Sequence, residues 1–257
     1  MNKLIALALL IPAIAVANGP FDGTWKTRLD SMQVSGKPDV YEFSNGMYDC
    51  RSCVPPYKIK ADGTDQPVPE HDYLDHQAVK ISSPTSIEFT NKMAGKVTST
   101  LTLTLSADGS KHTGKFTSYV GEKPFSGEFT EKRVGPGAAG AHPISGSWMQ
   151  DSLADMSDVA RTVTLQSSPN GLKMIWNGQT TDAKFDGKEY PTVGDPGKTM
   201  VTLKKISATQ IEETDRRRGK VFDIIVWTVA ADGKTINVVD TDPQHGTKTT
   251  YTIEKQS

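Results

Sequence analysis

The clearest pattern in the chain is an alternation of apolar and polar residues along short segments. Residues 100–105 alternate strictly, so that three leucines lie on one face and three threonines on the other. Tyr251 and Ile253 alternate with polar neighbours in the same way, whereas residues 221–229 are apolar on both faces. These segments predict β-strands, the last of them with both faces covered.

Hairpin turns separate the predicted strands. Residues 151–159 are the best candidate for a helix, and no longer helical pattern is found. About eight or nine short strands joined by tight turns form a meander, which closes most simply into a barrel because closure removes exposed edges. The alternative is a two-sheet sandwich, which needs longer crossovers. The turn signals in the second half are Asn170-Gly171, Asn177-Gly178, Asp186-Gly187, Arg218-Gly219, Asp232-Gly233 and His245-Gly246.

The two halves of the chain repeat the same landmarks at an offset of 123 or 124 residues, which indicates a tandem duplication. We therefore predict an all-β protein of two tandem antiparallel meander barrels, at 18–133 and 144–257. A linker at 134–143 separates them, because this segment is rich in Gly, Ala and Pro and has no periodicity. The paired landmarks are 21–26 with 144–149, 60–63 with 184–187, 86–88 with 210–212, and 107–111 with 231–235.

The ends of each repeat resemble the lipocalin-like (calycin) superfamily. A Gly-x-Trp motif, with Trp25 or Trp148, opens each repeat, and a basic residue, Arg133 or Lys255, ends its last strand. The resemblance implies that each tryptophan closes a barrel floor and that the basic side chain stacks on it. The opening motif, together with the later "IEETD" and "ADGK" runs, also resembles exported bacterial proteins of unassigned function.

The first seventeen residues predict export. Lys3 is followed by an apolar run, and Ala15-Val16-Ala17 provides a small-x-small cleavage signal. Residues 1–17 are therefore expected to be a signal peptide cleaved after Ala17, which places the protein in the periplasm or outside the cell. No cysteine follows the cleavage site, which disfavours a lipid anchor.

The net charge and the composition bear on the possible partners and on the fold class. The formal net charge of −1 gives no electrostatic case for binding nucleic acid or an anionic membrane. The apolar fraction of 36% suits sheets with one wet face better than a helical bundle. After signal cleavage no segment is long enough and apolar enough for an integral membrane helix.

Cys50 and Cys53 are the two cysteines of the chain, and in an exported protein they predict a disulfide at a hairpin tip. A redox role and a metal site are the alternatives. A redox pair needs a helix N-terminus to stabilise its thiolate, but Val54-Pro55-Pro56 follows instead.

Two polar segments could hold ligands. The segment 70–76 contains His71 and His76 among carboxylates and could bind Zn²⁺ or Cu²⁺, although a polar loop is the favoured interpretation. The basic run 216–220 could hold an acidic glycan or a phosphate, but we expect a solvated turn offset by the preceding acidic residues. His112, His142 and His245 are expected in turns or the linker, so no Ser-His-Asp site is predicted.

The functional prediction is an exported binding or carrier protein for a small apolar ligand, because a small barrel encloses either packed side chains or one ligand. The alternative is a non-enzymatic interaction or structural module with filled barrels. Leu101, Leu103 and Leu105 favour a filled first barrel, so the second is the expected host of a pocket. No cofactor, metal or catalytic residue is predicted. The candidate ligand-binding residues are Trp176, Trp227, Tyr48, Tyr57 and Tyr190.

Overall fold

The computed structural model describes residues 19–257, so the predicted signal peptide and its cleavage site lie outside the described residues. Almost all of the regular structure in this range is antiparallel β-sheet, and the two sheets are barrel-shaped with about ten strands each. The all-β prediction is confirmed, with one or two strands more per barrel than the turn signals indicate.

The described part of the chain begins with strands β1 (Gly23–Thr27) and β2 (Gln33–Gly36), and the strands of the first barrel follow. The sheet order of this barrel is β5-β4-β3-β12-β11-β10-β9-β8-β7-β6. Its strands are β3 (Asp39–Ser44), β4 (Met47–Cys50), β5 (Tyr57–Lys60), β6 (Asp62–Pro67), β7 (His76–Ser83), β8 (Ser86–Met93), β9 (Lys96–Leu105), β10 (Lys111–Ser118), β11 (Phe125–Pro136) and β12 (Gly146–Met156).

A single helical turn, α1 (Asp158–Arg161), leads into the second barrel. The predicted helix at 151–159 is wrong over most of its length, because β12 continues to Met156 against β11. The strands of the second barrel are β13 (Thr162–Ser168), β14 (Gly171–Trp176), β15 (Gln179–Lys184), β16 (Tyr190–Val193), β17 (Met200–Lys205), β18 (Gln210–Arg217), β19 (Lys220–Val229), β20 (Thr235–Asp242) and β21 (Thr247–Lys255).

The first strand of each sequence repeat belongs to the barrel of the other repeat. Strand β1 pairs with both β13 and β21 and so closes the second barrel, while β2 extends β21. Strand β12 pairs with β11 and β3 in the first barrel. The predicted division at 134–143 therefore does not separate the two sheets, although the duplication itself stays a prediction.

The predicted linker is a hairpin connection rather than a flexible tether. Strand β11 runs on to Pro136, and the chain then turns back into β12. The His142 backbone N–H donates to Phe43 O at 2.8 Å, and Arg133 Nη2 donates to Pro143 O at 2.6 Å. These bonds hold the connection against the first barrel, so the Gly and Pro residues shape a turn.

Each barrel completely buries the tryptophan of one Gly-x-Trp motif. Trp25 Nε1 donates to Phe21 O at 2.8 Å, and Trp148 Nε1 donates to Ile144 O at 2.9 Å. Lys255 Nζ lies 5.3 Å from the centre of the Trp25 ring, and the Arg133 guanidinium lies 4.1 Å from that of Trp148. Each tryptophan is thus stacked by a basic residue of the other repeat, as the strand exchange requires.

The glycine of each Gly-x-Trp motif makes room for this basic side chain. Gly23 has φ +139°, and a Cβ there would lie 2.7 Å from Lys255 Cε. Gly146 has φ +142°, and a Cβ there would lie 2.7 Å from Arg133 Nη1. A side chain at either position would meet the stacked cation and would strain the backbone.

The Cys50–Cys53 disulfide is present, with the two Cα atoms 5.5 Å apart, which confirms the sequence prediction. It lies in the connection between β4 and β5. Within residues 19–257, no helix has the length and apolar character needed to cross a membrane.

Candidate functional site

The two barrels differ in the free space inside them. The second barrel contains a cavity of about 480 Å³, while the interior cavity of the first measures about 180 Å³. Small-molecule sites commonly measure roughly 300–1,000 Å³. The first barrel is filled in large part by aromatic rings, among them Phe43 stacked on Tyr48 at 4.9 Å and Phe89 against Tyr48 at 5.4 Å.

Strand alternation places the residues of β18 on the cavity wall. Ile211 packs in the apolar core below the cavity, and Glu213, Asp215 and Arg217 follow at every second position on the same face. The same rule brings Ile225 and Trp227 of β19 inward. The wall therefore changes from apolar at the Trp25 end to charged at the opposite end.

Two of the predicted tryptophans lie on this wall. The Trp227 indole N–H donates to Glu213 Oε2 at 2.8 Å, and both residues are buried. The Trp176 indole N–H donates to Ala160 O at 2.9 Å, and the Trp176 ring forms an edge-to-face pair with Phe125 of the first barrel, with the ring centres 5.5 Å apart. Their hydrogen-bonding groups are satisfied, so the ring surfaces are what they offer to the cavity.

Four carboxyl groups cluster at the charged end. Asp215 and Asp223 face each other across the β18–β19 ladder, Glu213 lies one inward position deeper, and Asp240 lies beside Asp223. Burial, and then the mutual repulsion of the carboxylates, raises the pKa of Asp215, Asp223 and Asp240 well above the ordinary value. Burial also raises the pKa of Glu213, although its hydrogen bond from Trp227 acts in the opposite direction.

The first barrel carries neutral residues at the same register positions. Asn91 pairs with Ser99 in the ladder between β8 and β9, as Asp215 pairs with Asp223 in the ladder between β18 and β19. By the same correspondence, Glu213 and Asp240 of the second barrel are matched by phenylalanines, Phe89 and Phe116. Asn91 accepts from Gln77 Nε2 and donates to Ser99 Oγ, each at 2.8 Å. The fold therefore forms without a carboxyl group at any of these four places.

A loop of the first barrel covers the charged end of the cavity. Tyr73, between β6 and β7, donates its hydroxyl to Asp195 Oδ1 at 3.0 Å. The Arg217 guanidinium stacks on the Tyr73 ring at 4.5 Å and on Phe222 at 3.9 Å. Asp72 is 3.7 Å from Arg217 Nη1. The two barrels thus meet at the cavity mouth, and the cavity wall includes residues of both.

These contacts correct the expectation of a solvated basic turn at 216–220. Arg217 is largely buried between Tyr73 and Phe222, and Arg218 donates to His71 O at 2.7 Å. Only the tip of the hairpin, at Arg218-Gly219, has the positive φ values of the predicted turn. The acidic residues before it do not simply offset the run, because Glu213 and Asp215 face the cavity.

The two histidines of the segment 70–76 make contacts with different residues. His71 meets the edge of the Tyr57 ring at 5.0 Å, while His76 Nδ1 lies 2.9 Å from Asp75. Within residues 19–257, no group of three or more His, Cys, Asp or Glu side chains is arranged to hold a metal ion. The segment acts as a docking loop through Asp72 and Tyr73.

The remaining predicted aromatic residues do not join Trp176 and Trp227. Tyr48 lines the small cavity of the first barrel, and Tyr57 donates its hydroxyl to Gln77 Oε1 at 3.0 Å. Tyr190 donates to Asp186 Oδ2 at 3.0 Å and lies outside the cavity lining. The structure therefore gathers two of the five candidates in one place.

The expectation that His112 lies in a turn is wrong. His112 is on β10, is 1% exposed, and its Nε2 lies 2.7 Å from Tyr41 Oη and 2.8 Å from Glu131 Oε2. Its ring meets the edge of Trp148 at 4.4 Å. This group packs against Trp148 inside the first barrel.

The chain was compared with known proteins, and no match was found. No protein-family model matches the chain, and neither a curated protein nor a solved structure matches it. The residues of the second barrel and their contrast with those of the first are therefore the basis for inferring a function.

Proposed function

We propose that this protein binds or carries a small molecule in the cavity of the second barrel. The observation that carries the proposal is the cavity of about 480 Å³, which Trp176 and Trp227 line, beside a sister barrel with about 180 Å³. Two barrels of one architecture differ in free volume because side chains fill the first. An open interior that the fold does not require is typical of a ligand site.

Polar groups inside the cavity support the proposal. Asp215 Oδ1, on the cavity wall, and Asp240 Oδ1, beside it, are shielded from solvent and have no hydrogen-bond partner within the described part of the chain. Leaving such atoms unpaired costs about 1–3 kcal/mol each. A bound ligand that donates a hydrogen bond to the Asp215 carboxyl would remove this cost at the cavity wall.

The resemblance to lipocalin-like barrels also supports a carrier role. The resemblance concerns the Gly-x-Trp strand and the basic residue that stacks on its tryptophan, as Arg133 stacks on Trp148. Export by residues 1–17 belongs to the same proposal and places the carrier in the periplasm or outside the cell. The Cys50–Cys53 bond suits such an oxidising compartment.

The wall composition argues against the wholly apolar ligand that the sequence suggests. Met174, Ile225 and Trp227 offer apolar surface, but Glu213 and Asp215 share the same cavity. Burying an apolar group against these carboxyls would leave their polar atoms unpaired. The ligand that fits is amphipathic, with an apolar part toward the floor and a polar part toward Tyr73.

The first barrel fits the alternative of a filled module better than a second ligand site. Its interior is occupied by aromatic rings, and its loop supplies Tyr73 to the mouth of the other cavity. Its role in the proposal is to support and cover the binding barrel. The duplication then yields one binding site made from two barrels.

Native mass spectrometry of protein purified from its natural host tests the proposal. The wild-type protein is expected to carry a stoichiometric extra mass that is released on denaturation. Val163→Trp, on the cavity wall, should abolish this mass because the new ring occupies the cavity. Val193→Trp is the matched control, since Val193 is 67% exposed and lies outside the lining. A bare wild-type protein, or full occupancy in folded Val163→Trp, would overturn the proposal.

A further inference from the structure

The cavity of the second barrel has more carboxyl groups than cationic groups to balance them. Among the described residues, its lining includes the cationic side chains Arg161 and Arg217. Arg161 Nη2 is bound to Asp158 Oδ1 at 2.6 Å. Arg161 is therefore paired with Asp158 rather than with a carboxyl of the wall, and its Nε has no hydrogen-bond partner within residues 19–257.

The three guanidinium nitrogens of Arg217 also face groups other than the wall carboxyls. Its Nε donates to Thr199 Oγ1 at 2.9 Å, and its Nη2 donates to the Tyr73 hydroxyl at 2.5 Å. Its third nitrogen, Nη1, lies 3.7 Å from Asp72. Arg217 thus faces the mouth and the first barrel, and the four-carboxyl cluster of Glu213, Asp215, Asp223 and Asp240 keeps a surplus of negative charge when ionised.

The surplus is not a requirement of the fold. The equivalent positions of the first barrel hold Phe89, Asn91, Ser99 and Phe116, which carry no charge. Burying four carboxyls that raise one another's pKa is unfavourable for stability. A function in the second barrel is the natural reason for keeping them, since perturbed carboxyls in a cavity commonly mark a binding site.

A second, independent feature of the same cavity points to a ligand. Gln179 lines the cavity, is 8% exposed, and its Nε2 has no hydrogen-bond partner within residues 19–257. Gln179 lies on β15, whereas the carboxyls lie on β18, β19 and β20. A ligand that pairs with both must span the distance from β15 to β18 inside the barrel.

We propose that the ligand is an organic cation: a protonated amine on an apolar or aromatic body, with a hydrogen-bond acceptor at its other side. The inference rests on the proposed function, because it assigns the chemistry of the same cavity. The amine donates to Asp215 and Asp223, the body lies on the faces of Trp227 and Trp176, and the acceptor takes the Gln179 N–H.

Each contact has a physical basis. Hydrogen bonds between an ammonium group and a carboxylate are shorter and roughly twice as strong as neutral ones. An ammonium within about 6 Å of an indole face is attracted by the ring quadrupole. Burial raises the pKa of Asp215 and Asp223, and a bound ammonium group would lower it again by stabilising the ionised form. A neutral ligand of the same shape would gain neither contribution, and an anion would favour the protonated carboxyls and gain no ion pair.

Binding of three matched probes at neutral pH tests the inference. Tryptamine, tryptophol and indole-3-propionate share one ring and differ in a terminal ammonium, hydroxyl or carboxylate group. In isothermal titration calorimetry, tryptamine is expected to bind wild type at least about tenfold more tightly than tryptophol, and indole-3-propionate most weakly. Asp215→Asn should lower the affinity for tryptamine about tenfold and leave tryptophol binding unchanged.

Glu212→Gln is the matched control, because Glu212 lies on the same strand but outside the cavity lining. It should leave all three affinities unchanged. Equal or tighter binding of tryptophol or indole-3-propionate would overturn the inference, as would unchanged tryptamine binding in folded Asp215→Asn or no binding of tryptamine at all.

The proposed function is judged separately. If native mass spectrometry finds a Val163→Trp-sensitive ligand that is neutral or anionic, the cavity is a ligand site and only the assignment of a cation fails. If the protein from its natural host is bare, the proposed function fails as well.

Discussion

The indole N–H of Trp227 donates a hydrogen bond to Glu213 Oε2 at 2.8 Å inside the second barrel. Glu213 is 6% exposed, and it occupies the position that Phe89 has in the first barrel. The bond orients a carboxyl group and an aromatic ring toward the same cavity. The same position thus holds a core phenylalanine in the first barrel and a carboxyl group of the cavity wall in the second.

The pH dependence of stability should report the buried Glu213 carboxyl. Burial raises its pKa to about 7, above the value of about 4.3 expected in an unfolded chain. The folded state then holds its proton more tightly, so the free energy of unfolding is greatest below about pH 4 and falls as the pH rises toward and through 7. The slope for one such group is at most about 1.4 kcal/mol per pH unit.

Urea unfolding of Glu213→Gln at a series of pH values checks this expectation. Glutamine keeps the shape and an acceptor for Trp227 but does not titrate, so the decline between pH 4 and 7 should become shallower. Glu212→Gln should keep the wild-type slope, since Glu212 is outside the cavity lining. A slope in Glu213→Gln as steep as in wild type would contradict the assignment.

The basic residues that stack on Trp148 and Trp25 should contribute unequally to the free energy of unfolding. Arg133 stacks on Trp148 and also donates to Gly109 O at 2.8 Å, Ser145 O at 2.6 Å and Pro143 O. Arg133→Met would leave three carbonyls without this donor and should lower the free energy of unfolding by about 2–4 kcal/mol.

Lys255→Met is the comparison, because Lys255 stacks on Trp25 at the longer distance of 5.3 Å. We expect a loss of about 0.5–1 kcal/mol. Chemical denaturation followed by tryptophan fluorescence measures the free energy of unfolding of both variants. Equal losses in the two variants would show that the carbonyl contacts of Arg133 contribute nothing.

The strand exchange predicts which fragments fold. A fragment of residues 144–257 contains β12, which belongs to the other barrel, and lacks β1, which closes its own. It should remain unfolded or aggregate. A rearranged fragment, with residues 19–28 joined by a short flexible linker after residue 257 of a 158–257 fragment, should fold.

Circular dichroism and dispersed amide signals in a two-dimensional NMR spectrum distinguish the two fragments. A well-folded 144–257 fragment would mean that β12 can replace β1, and that the exchange is not needed to close the second barrel. Folding of only the rearranged fragment would establish β1 as its tenth strand.

Tyr73 should control how fast a ligand leaves the second barrel. Its ring covers the cavity mouth between Arg217 and the turn at Gly197, where a Cβ would lie 3.0 Å from the ring. Tyr73→Ala should speed dissociation by about tenfold, because the cover and its bond to Asp195 are both lost. Stopped-flow displacement of the bound ligand measures the rate.

Tyr119→Ala is the control for this experiment, since Tyr119 is 48% exposed and outside the cavity lining. Tyr73→Phe should fall between wild type and Tyr73→Ala, as it keeps the ring and loses the hydroxyl. Wild-type dissociation from Tyr73→Ala would show that the ligand leaves by another path.

Local patterns in the sequence predict the strands, the tight turns and the Cys50–Cys53 bond, because each depends on neighbours in the chain. The exchange of β1 and β12 is not predictable in this way. Both strands carry the same Gly-x-Trp motif, so the choice of partner is decided by long-range pairing, such as Trp25 opposite Lys255.

The carboxyl cluster could have been predicted in part. Ile211 is apolar and the next two inward positions on a strand are Glu213 and Asp215, so strict alternation alone points them into the barrel. The basic run 216–220 indicated a solvated turn instead, and the acidic residues before it were expected to offset its charge. The covering by Tyr73 had no signal in the sequence, since it depends on how one barrel meets the other.

A crystal structure of protein purified from its natural host will decide whether the cavity of the second barrel is a ligand site. We expect non-protein density between the Trp227 ring and the carboxyl of Asp215. A cavity that contains only ordered water, or density at another place on the protein with this cavity empty of it, would contradict the claim.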